Sequence, residues 1–377
     1  MSGSRASIVM PKTTPPLSNE LEVSLFGPGR GECVVLHLSN GNWMIVDSCL
    51  NAEGSRAVAL EYLETLKVDV GTQVKIVVVT HWHDDHIKGI SGIMKEARGA
   101  EFVCSAALNC REFMSLIVAD ENIKLVEHTS GISEFAKTFR VINERSGVIY
   151  TKGPDHWACS EKLLYSATTP YNTKVIALSP SAQTITDSKG DLAKLIPKSS
   201  NIIRRFPRTT PNDYSVVMLV KIADWNVLLG ADLERGPDVA RGWRAIVTSD
   251  LRPDGKSVAY KVPHHGSGNA DLDSIWSELL VENPYALLTP YAGGRKSLPS
   301  AEDVKRIKKQ TDNLYCTVWP PSIHPPRRDK SVERTMDEVA KTRRAIRKCP
   351  GHIRLRIPIG GKPSDINIDL FDGATRL

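Results

Sequence analysis

Residues 80–86 read Thr80-His81-Trp82-His83-Asp84-Asp85-His86, three histidines and two aspartates in one short run. Imidazoles crowded together are costly unless something neutralises or coordinates them, and a divalent cation does both. A lone histidine would read as solvated or as a neutral core residue; a cluster of this density reads as a metal loop. A second concentration, Pro263-His264-His265-Gly266-Ser267, sets adjacent histidines before a glycine that permits close backbone approach. Two single carboxylates, Asp47 after Val46 and Asp232 after Gly230-Ala231, complete the set. An unpaired carboxylate at the end of an apolar strand is expensive, so Asp47 is expected to accept hydrogen bonds, an ordinary loop aspartate being the alternative. Neutral imidazole and carboxylate ligands suit Zn²⁺, with Mn²⁺ or Fe also compatible. There are enough such groups for one or two ions, and a pair of ions about 3.5–4 Å apart can clamp a displacement at phosphorus or at a carbonyl carbon.

The elements that must position these groups are short strands. Residues 74–79 (Val-Lys-Ile-Val-Val-Val) form an apolar, β-branched run that reads as a buried strand and ends at Thr80. Residues 33–38 and 43–46 form a hairpin across Ser39-Asn40-Gly41-Asn42, and its second strand runs into Asp47. Residues 225–229 lead to Asp232, and 257–262 lead to His264 and His265. Further strands are expected at 21–26, 101–104, 175–178, 216–222, 286–289, 314–318, 352–358 and 365–371. Apolar spacing predicts helices over 55–67, 87–96, 106–119, 130–143, 271–281, 300–310 and 331–348. Residues 150–172 read as irregular and 183–211 as a polar, basic excursion; His156 is set aside as a surface or locally packed histidine. Strand ends in a sandwich lie near one another, so ligands distant in sequence can converge.

At 377 residues the chain can hold one large domain or two smaller ones, and 41% hydrophobic with 24% charged residues is ordinary globular composition. No apolar run is long enough to span a bilayer, and residues 1–16 lack the apolar centre of a signal peptide. The expectation is a soluble, cytoplasmic protein with no membrane partner. Seven scattered cysteines, none in a Cys-x-x-Cys spacing, argue against a disulfide framework and a thiolate zinc site. Net charge is +6, and basic runs at 305–309, 327–330 and 343–348 crowd the last quarter, as solvated helix faces or as a surface for nucleic acid. The organisation expected is a flexible arm (1–20), a main domain (21–320) and a basic C-terminal helix with strands packed on it (321–377).

The order of these motifs carries a resemblance. Residues 80–86 resemble the His-x-His-x-Asp-His signature of metallo-β-lactamase-fold hydrolases, with Asp47 and Asp232 matching that family's earlier and later aspartates. More narrowly, Leu178-Ser179-Pro180, Asn212 with Ser215, Leu228-Leu229-Gly230-Ala231-Asp232 and Val262-Pro263-His264-His265-Gly266-Ser267 resemble, in that order, the hydrolase domain of ComEC-type DNA-uptake proteins. The resemblance covers roughly residues 21–320. It implies a mixed α/β fold, an αββα sandwich with metals at the edge of two facing sheets. His81 and His83 would hold a first metal, Asp85 and His86 a second, and Asp232 would bridge. His264 would be the final ligand, with His265 close behind it, while Asp47 would orient a ligand loop.

Two departures from the family pattern matter. Asn212 stands where many members place a third histidine of the first metal, and with Ser215 and Ser267 it is assigned to substrate. Residues 293–299 lack a histidine that ComEC-type domains often carry; Lys296 would act as a catalytic cation and Arg295 as a phosphate contact in its stead. Asp85 would orient the attacking water or accept its proton. The implied function is metal-dependent hydrolysis of a phosphodiester, nucleic acid included, by a soluble nuclease. A small-molecule hydrolase acting on a lactone, β-lactam, thioester or cyclic nucleotide is the alternative, and a catalytically degenerate binding module is the third reading.

Overall fold

The computed structural model describes residues 10–28, 31–111, 113–115, 117, 131–146, 154–193, 211–292, 297–323, 330–339 and 350–377. Two eight-stranded sheets dominate them. The first contains β1 (Glu20–Gly27), β2 (Cys33–Leu38), β3 (Trp43–Val46), β4 (Val74–Val79), β5 (Glu101–Ser105) and β6 (His156–Ala158). The second contains β7 (Leu163–Ala167), β8 (Thr173–Ala177), β9 (Met218–Ile222), β10 (Trp225–Leu229), β11 (Ser257–Lys261), β12 (Leu280–Leu288) and β13 (Leu314–Cys316). The chain then returns: β14 (Gly351–Pro358) and β15 (Asn367–Phe371) extend the first sheet beyond β1, and β16 (Thr375–Arg376) closes the second beyond β13.

Direction decides where chemistry can collect. β3 and β4 are parallel neighbours, with Val46 paired to Val78, and β10 and β11 are parallel neighbours, with Leu229 paired to Lys261. Parallel strands present their carboxyl ends side by side, where open α/β sheets commonly carry their sites. Asp47, His81, Asp232 and His264 each follow one of these four strands by a few residues.

β4 shows why the run at 74–79 is apolar throughout. Ile76 and Val78 point into the layer between the sheets, joining Leu21, Leu25, Val46, Val220, Val227 and Leu355. Val77 and Val79 point the other way, into helices 58–65, 90–96 and 131–146 through Leu60, Leu63, Ile93, Met94, Phe135 and Phe139. A third apolar layer lies outside the second sheet, where Trp243, Ile246, Ile275 and Ile307 cover Leu228, Tyr260 and Leu288. Helix, sheet, sheet, helix is therefore the layer order, as the resemblance implied.

Some elements differ from the sequence reading. Residues 150–172 are not wholly irregular, since β6 and β7 lie there as the outermost strands of the two sheets. Edge strands of three and five residues carry too little alternation to stand out from a loop. The helix expected over 271–281 is a single turn at Ile275–Leu279; Leu280 already belongs to β12, where pairing with Ser257 of β11 overrides helical spacing. The excursion at 183–211 begins as a helix, Ala182–Ala193, while residues 194–210 lie outside the described residues. The expected helix at 87–96 is split into Asp84–Ile87 and Ile90–Glu96 by Gly89 at φ +96°. The helix at 331–348 is seen as Lys330–Val339, and 340–349 fall outside the described residues, as do Arg295 and Lys296. No helix among the described residues is long and apolar enough to cross a membrane.

Candidate metal centre

Four non-glycine residues at the exits of the site strands adopt left-handed backbone: Asp47 (φ 57°), Ala231 (φ 45°), His264 (φ 45°) and His265 (φ 54°). Each such residue costs on the order of 1–3 kcal/mol and persists only where its surroundings over-determine it. Their concentration at one edge marks the place where side chains are turned out of the sheets toward one another. His81, His86, Asp232 and His265 are buried there, while Asp85 is partly exposed.

Asp47 organises the first sheet's half. Its Oδ1 accepts the Thr80 backbone N–H at 2.8 Å, and its Oδ2 accepts the Thr80 hydroxyl at 2.7 Å and His86 Nδ1 at 2.8 Å. Because the Thr80 hydroxyl donates to Asp47, it accepts from His81 Nδ1, 2.9 Å away. Both rings therefore carry their proton on Nδ1 and turn Nε2 inward. On the second sheet's half, His265 Nδ1 donates to the Thr289 carbonyl at 3.0 Å and likewise leaves Nε2 facing the cluster. An outer hydrogen bond that fixes the tautomer is the usual support of a metal-ligating imidazole.

The inward atoms meet. Ligand atoms of His81, His86 and Asp232 all lie within 4.8 Å of one another, and so do those of Asp85, His86 and His265. His86 Nε2 lies 3.4 Å from Asp232 Oδ2, and His265 Nε2 lies 3.6 Å from both Asp85 Oδ2 and Asp232 Oδ2. His83 Nδ1 stands 3.2 Å from His81 Nε2, close to the ~3.3 Å that separates two nitrogens on one tetrahedral zinc. The donor set fits a cation on a further observation: His86 Nε2, turned into the cluster, is buried with no hydrogen-bond partner. Such an atom is costly unless something outside the protein satisfies it.

Electrostatics point the same way. Burial, with His86 and His83 beside it, drives the His81 imidazole well below its ordinary pKa and keeps it neutral. Burial works against charge on His86, yet Asp232, Asp85 and Asp47 outweigh it and raise that group well above the usual histidine range. His265 is raised in the same manner, burial being overcome by Asp232, Asp85 and Glu32. A field that favours a proton on these nitrogens also favours a metal cation in its place.

The two adjacent histidines part company. His265 joins the cluster, whereas His264 Nε2 faces Asn212 Nδ2 at 3.2 Å and its Nδ1 faces Asn269 Oδ1 at 3.1 Å. Asn212 also donates to Glu234 at 3.2 Å, so Asn212, His264 and Glu234 form a polar group of their own. The Ser215 hydroxyl is buried without a partner, its carbonyl taken by Ser179 at 2.6 Å. Ser267 is half-buried, its backbone N–H donating to the His264 carbonyl. His156 lies on β6, 3.1 Å from Glu101, and is absent from both ligand groups.

Sequence reasoning missed three neighbours. Tyr291 stacks on His265 at 5.1 Å between centroids, and nothing local in Pro290-Tyr291-Ala292 announces it. Glu32 and Lys261 form a buried ion pair at 2.5 Å beside Asp232. A lysine inside the apolar strand that leads to the histidine pair was the available signal for Lys261; Glu32 offered none.

A model of the metallo-beta-lactamase superfamily matches residues 26–108, the stretch that carries Asp47 and the histidine loop. The two sheets between helical layers are consistent with that fold. Among solved structures, the chain is similar to a metallo-beta-lactamase from Cronobacter sakazakii at 14% identity and a TM-score of 0.31, covering 57% of this chain and 63% of that one. It is also similar to a class B3 di-zinc metallo-beta-lactamase from an Alaskan soil metagenome, at 14% identity and a TM-score of 0.30, over 61% and 67% of the two chains. A beta-lactamase from Chitinophaga pinensis gives 10% identity and 0.32, over 60% and 67%. No curated protein matches the chain in sequence.

Proposed function

From a metallo-beta-lactamase fold with a cation-fitting cluster at its sheet edge, we propose that this protein is a metal-dependent hydrolase whose substrate is a phosphodiester, nucleic acid included. The observation that carries the hydrolase reading is the convergence of His81, His83, Asp85, His86, Asp232 and His265 around the partnerless His86 Nε2. In this reading those six residues hold one or two ions, Zn²⁺ first, with Mn²⁺ or Fe as alternatives. His265 takes the ligand position in preference to His264, because it alone of the two turns Nε2 to Asp85 and Asp232. Bound there, the cation supplies Lewis acidity to the scissile group and to the attacking water.

The chain's own residues do the rest. Asp85 is the partly exposed carboxylate of the cluster, and its interactions with His86 and His265 outweigh burial and hold it well below the usual carboxylate range. Ionised at neutral pH, it accepts a hydrogen bond from the attacking water and orients it. Asn212 and His264 lie beside the cluster and offer polar contacts to a substrate. What supports a phosphodiester is the order of motifs shared with ComEC-type domains and the net charge of +6.

The test is cleavage of single- and double-stranded DNA and RNA, and of bis(p-nitrophenyl) phosphate, by the purified chain with Zn²⁺ or Mn²⁺. Cleavage should require the metal and fall at least about 100-fold in His83→Ala and Asp85→Ala. Activity surviving in both variants would show the site to be wrong. A metal-loaded protein that spares every phosphodiester but opens a β-lactam or lactone would move the substrate, and a metal-free protein after native purification would favour a binding module.

A further inference from the structure

We infer that the buried Glu32–Lys261 ion pair is a positioning device that sets how the two halves of the metal centre face each other. This rests on reading the cluster as a metal centre. Lys261, the last residue of β11, and Glu32, just before β2, are both almost fully buried. Lys261 Nζ meets Glu32 Oε1 at 2.5 Å, donates to the Ala231 carbonyl at 2.8 Å, and lies 3.6 Å from Asp232 Oδ1. From the other end, the Glu32 backbone N–H donates to the Asp85 carbonyl at 2.7 Å. One chain of contacts thus runs from Ala231 and Asp232 on the second sheet, through two buried charges, to Asp85 on the first.

Its ends matter more than its strength. Desolvation cancels much of what a buried ion pair gains, so apolar contacts would hold two sheets together equally well. An apolar pair could not hold the Ala231 carbonyl, and Ala231 is the left-handed residue that turns Asp232 toward His86 and His265. The neighbouring loop is equally tight: a Cβ on Gly31, at φ +134°, would stand 2.3 Å from the Asp85 carbonyl oxygen. Glu32 is therefore seated where the metal loop and the β1–β2 loop touch, and Lys261 ties that point to Asp232.

The ion pair is net neutral, and so is its replacement by Lys261→Met with Glu32→Gln. A change in metal affinity in this double variant reports geometry, not altered site charge. Zn²⁺ affinity is measured by competition with a chromogenic chelator, the Co²⁺-loaded protein by its visible spectrum, and folding by thermal melting. The double variant should melt cooperatively, bind Zn²⁺ about 10–100-fold more weakly than the parent, and show an altered Co²⁺ spectrum. Should it fail to fold, Glu32→Asp alone gives the answer: the charge is kept, the carboxylate is drawn back from Lys261 by one methylene, and affinity should fall in the same direction. Zn²⁺ binding within about twofold of the parent in the folded variant tested would overturn the inference while leaving the metal centre intact. A parent protein that binds neither Zn²⁺ nor Co²⁺ would instead remove the metal centre itself.

Discussion

Three donors meet on the Asp47 carboxylate, two from Thr80 and one from His86. Thr80 N–H, the Thr80 hydroxyl and His86 Nδ1 all end there, and the Thr80 hydroxyl passes the constraint on to His81. Replacing Asp47 with alanine frees two imidazoles to rotate and leaves three buried donors unsatisfied, each at a cost of about 1–3 kcal/mol. Asp47→Ala is therefore expected to weaken Zn²⁺ binding about 10–100-fold and to lower the melting temperature, as read by chelator competition and a thermal melt. Unchanged affinity in a folded Asp47→Ala protein would mean that the ligand rings are held by packing alone.

At the scale of the element, the β2–β3 hairpin carries a titratable brace. His37 Nδ1 donates to the Glu20 carbonyl at 2.8 Å, and its Nε2 accepts the Gly41 N–H at 2.9 Å, so the ring is held neutral across the turn. Burial pushes its pKa down to about 4; the Glu20 bond opposes the shift and Arg356 adds to it. Between the ordinary value of about 6.5 and 4, the unfolded chain binds a proton that the folded hairpin refuses. Stability is then fully present above pH 6.5 and falls as pH drops toward 4, by about 3 kcal/mol from this group. The urea midpoint should decline over that range, and His37→Gln should lose part of the decline. Parallel pH profiles for the two proteins would assign the acid sensitivity elsewhere.

At the scale of the whole molecule, the two sheets are finished by the end of the chain. β14 lies between β1 and β15 in one sheet, and β16 closes the other through Tyr315 and Cys316. Arg354 of β14 is fully buried, bonded to Asp369 at 2.7 and 3.0 Å and to the carbonyls of Met10 and Pro11 at 2.9 and 3.2 Å. It binds chain beginning, β14 and β15 into one unit. Arg354→Ala strands the Asp369 charge in the interior, and loss of one partner of a buried pair costs about 3–5 kcal/mol. Urea unfolding should show that loss; a change below about 1 kcal/mol would mean that water replaces the guanidinium at little cost.

The sequence by itself determined what kind of chemistry the chain can do. His81, His83, Asp85 and His86 stand within one short stretch, residues 81–86, and the strands at 33–38, 43–46, 74–79 and 225–229 have bounds that local apolar pattern and turn residues set. Tertiary structure decided what local pattern cannot encode. Whether His264 or His265 turns inward depends on hydrogen bonds, His265 to the Thr289 carbonyl and His264 with Asn212, whose partners are far away in sequence. Glu32 and Lys261 meet because antiparallel pairing of β2 with β3 returns Glu32 to the edge where β3 and β4 end, and β11 ends there in the other sheet. β6, β7 and the first part of β12 are strands because a neighbour offers hydrogen bonds, against weak or helical local spacing. Donor types are a property of the residues, but the direction of a lone pair is a property of everything packed behind it.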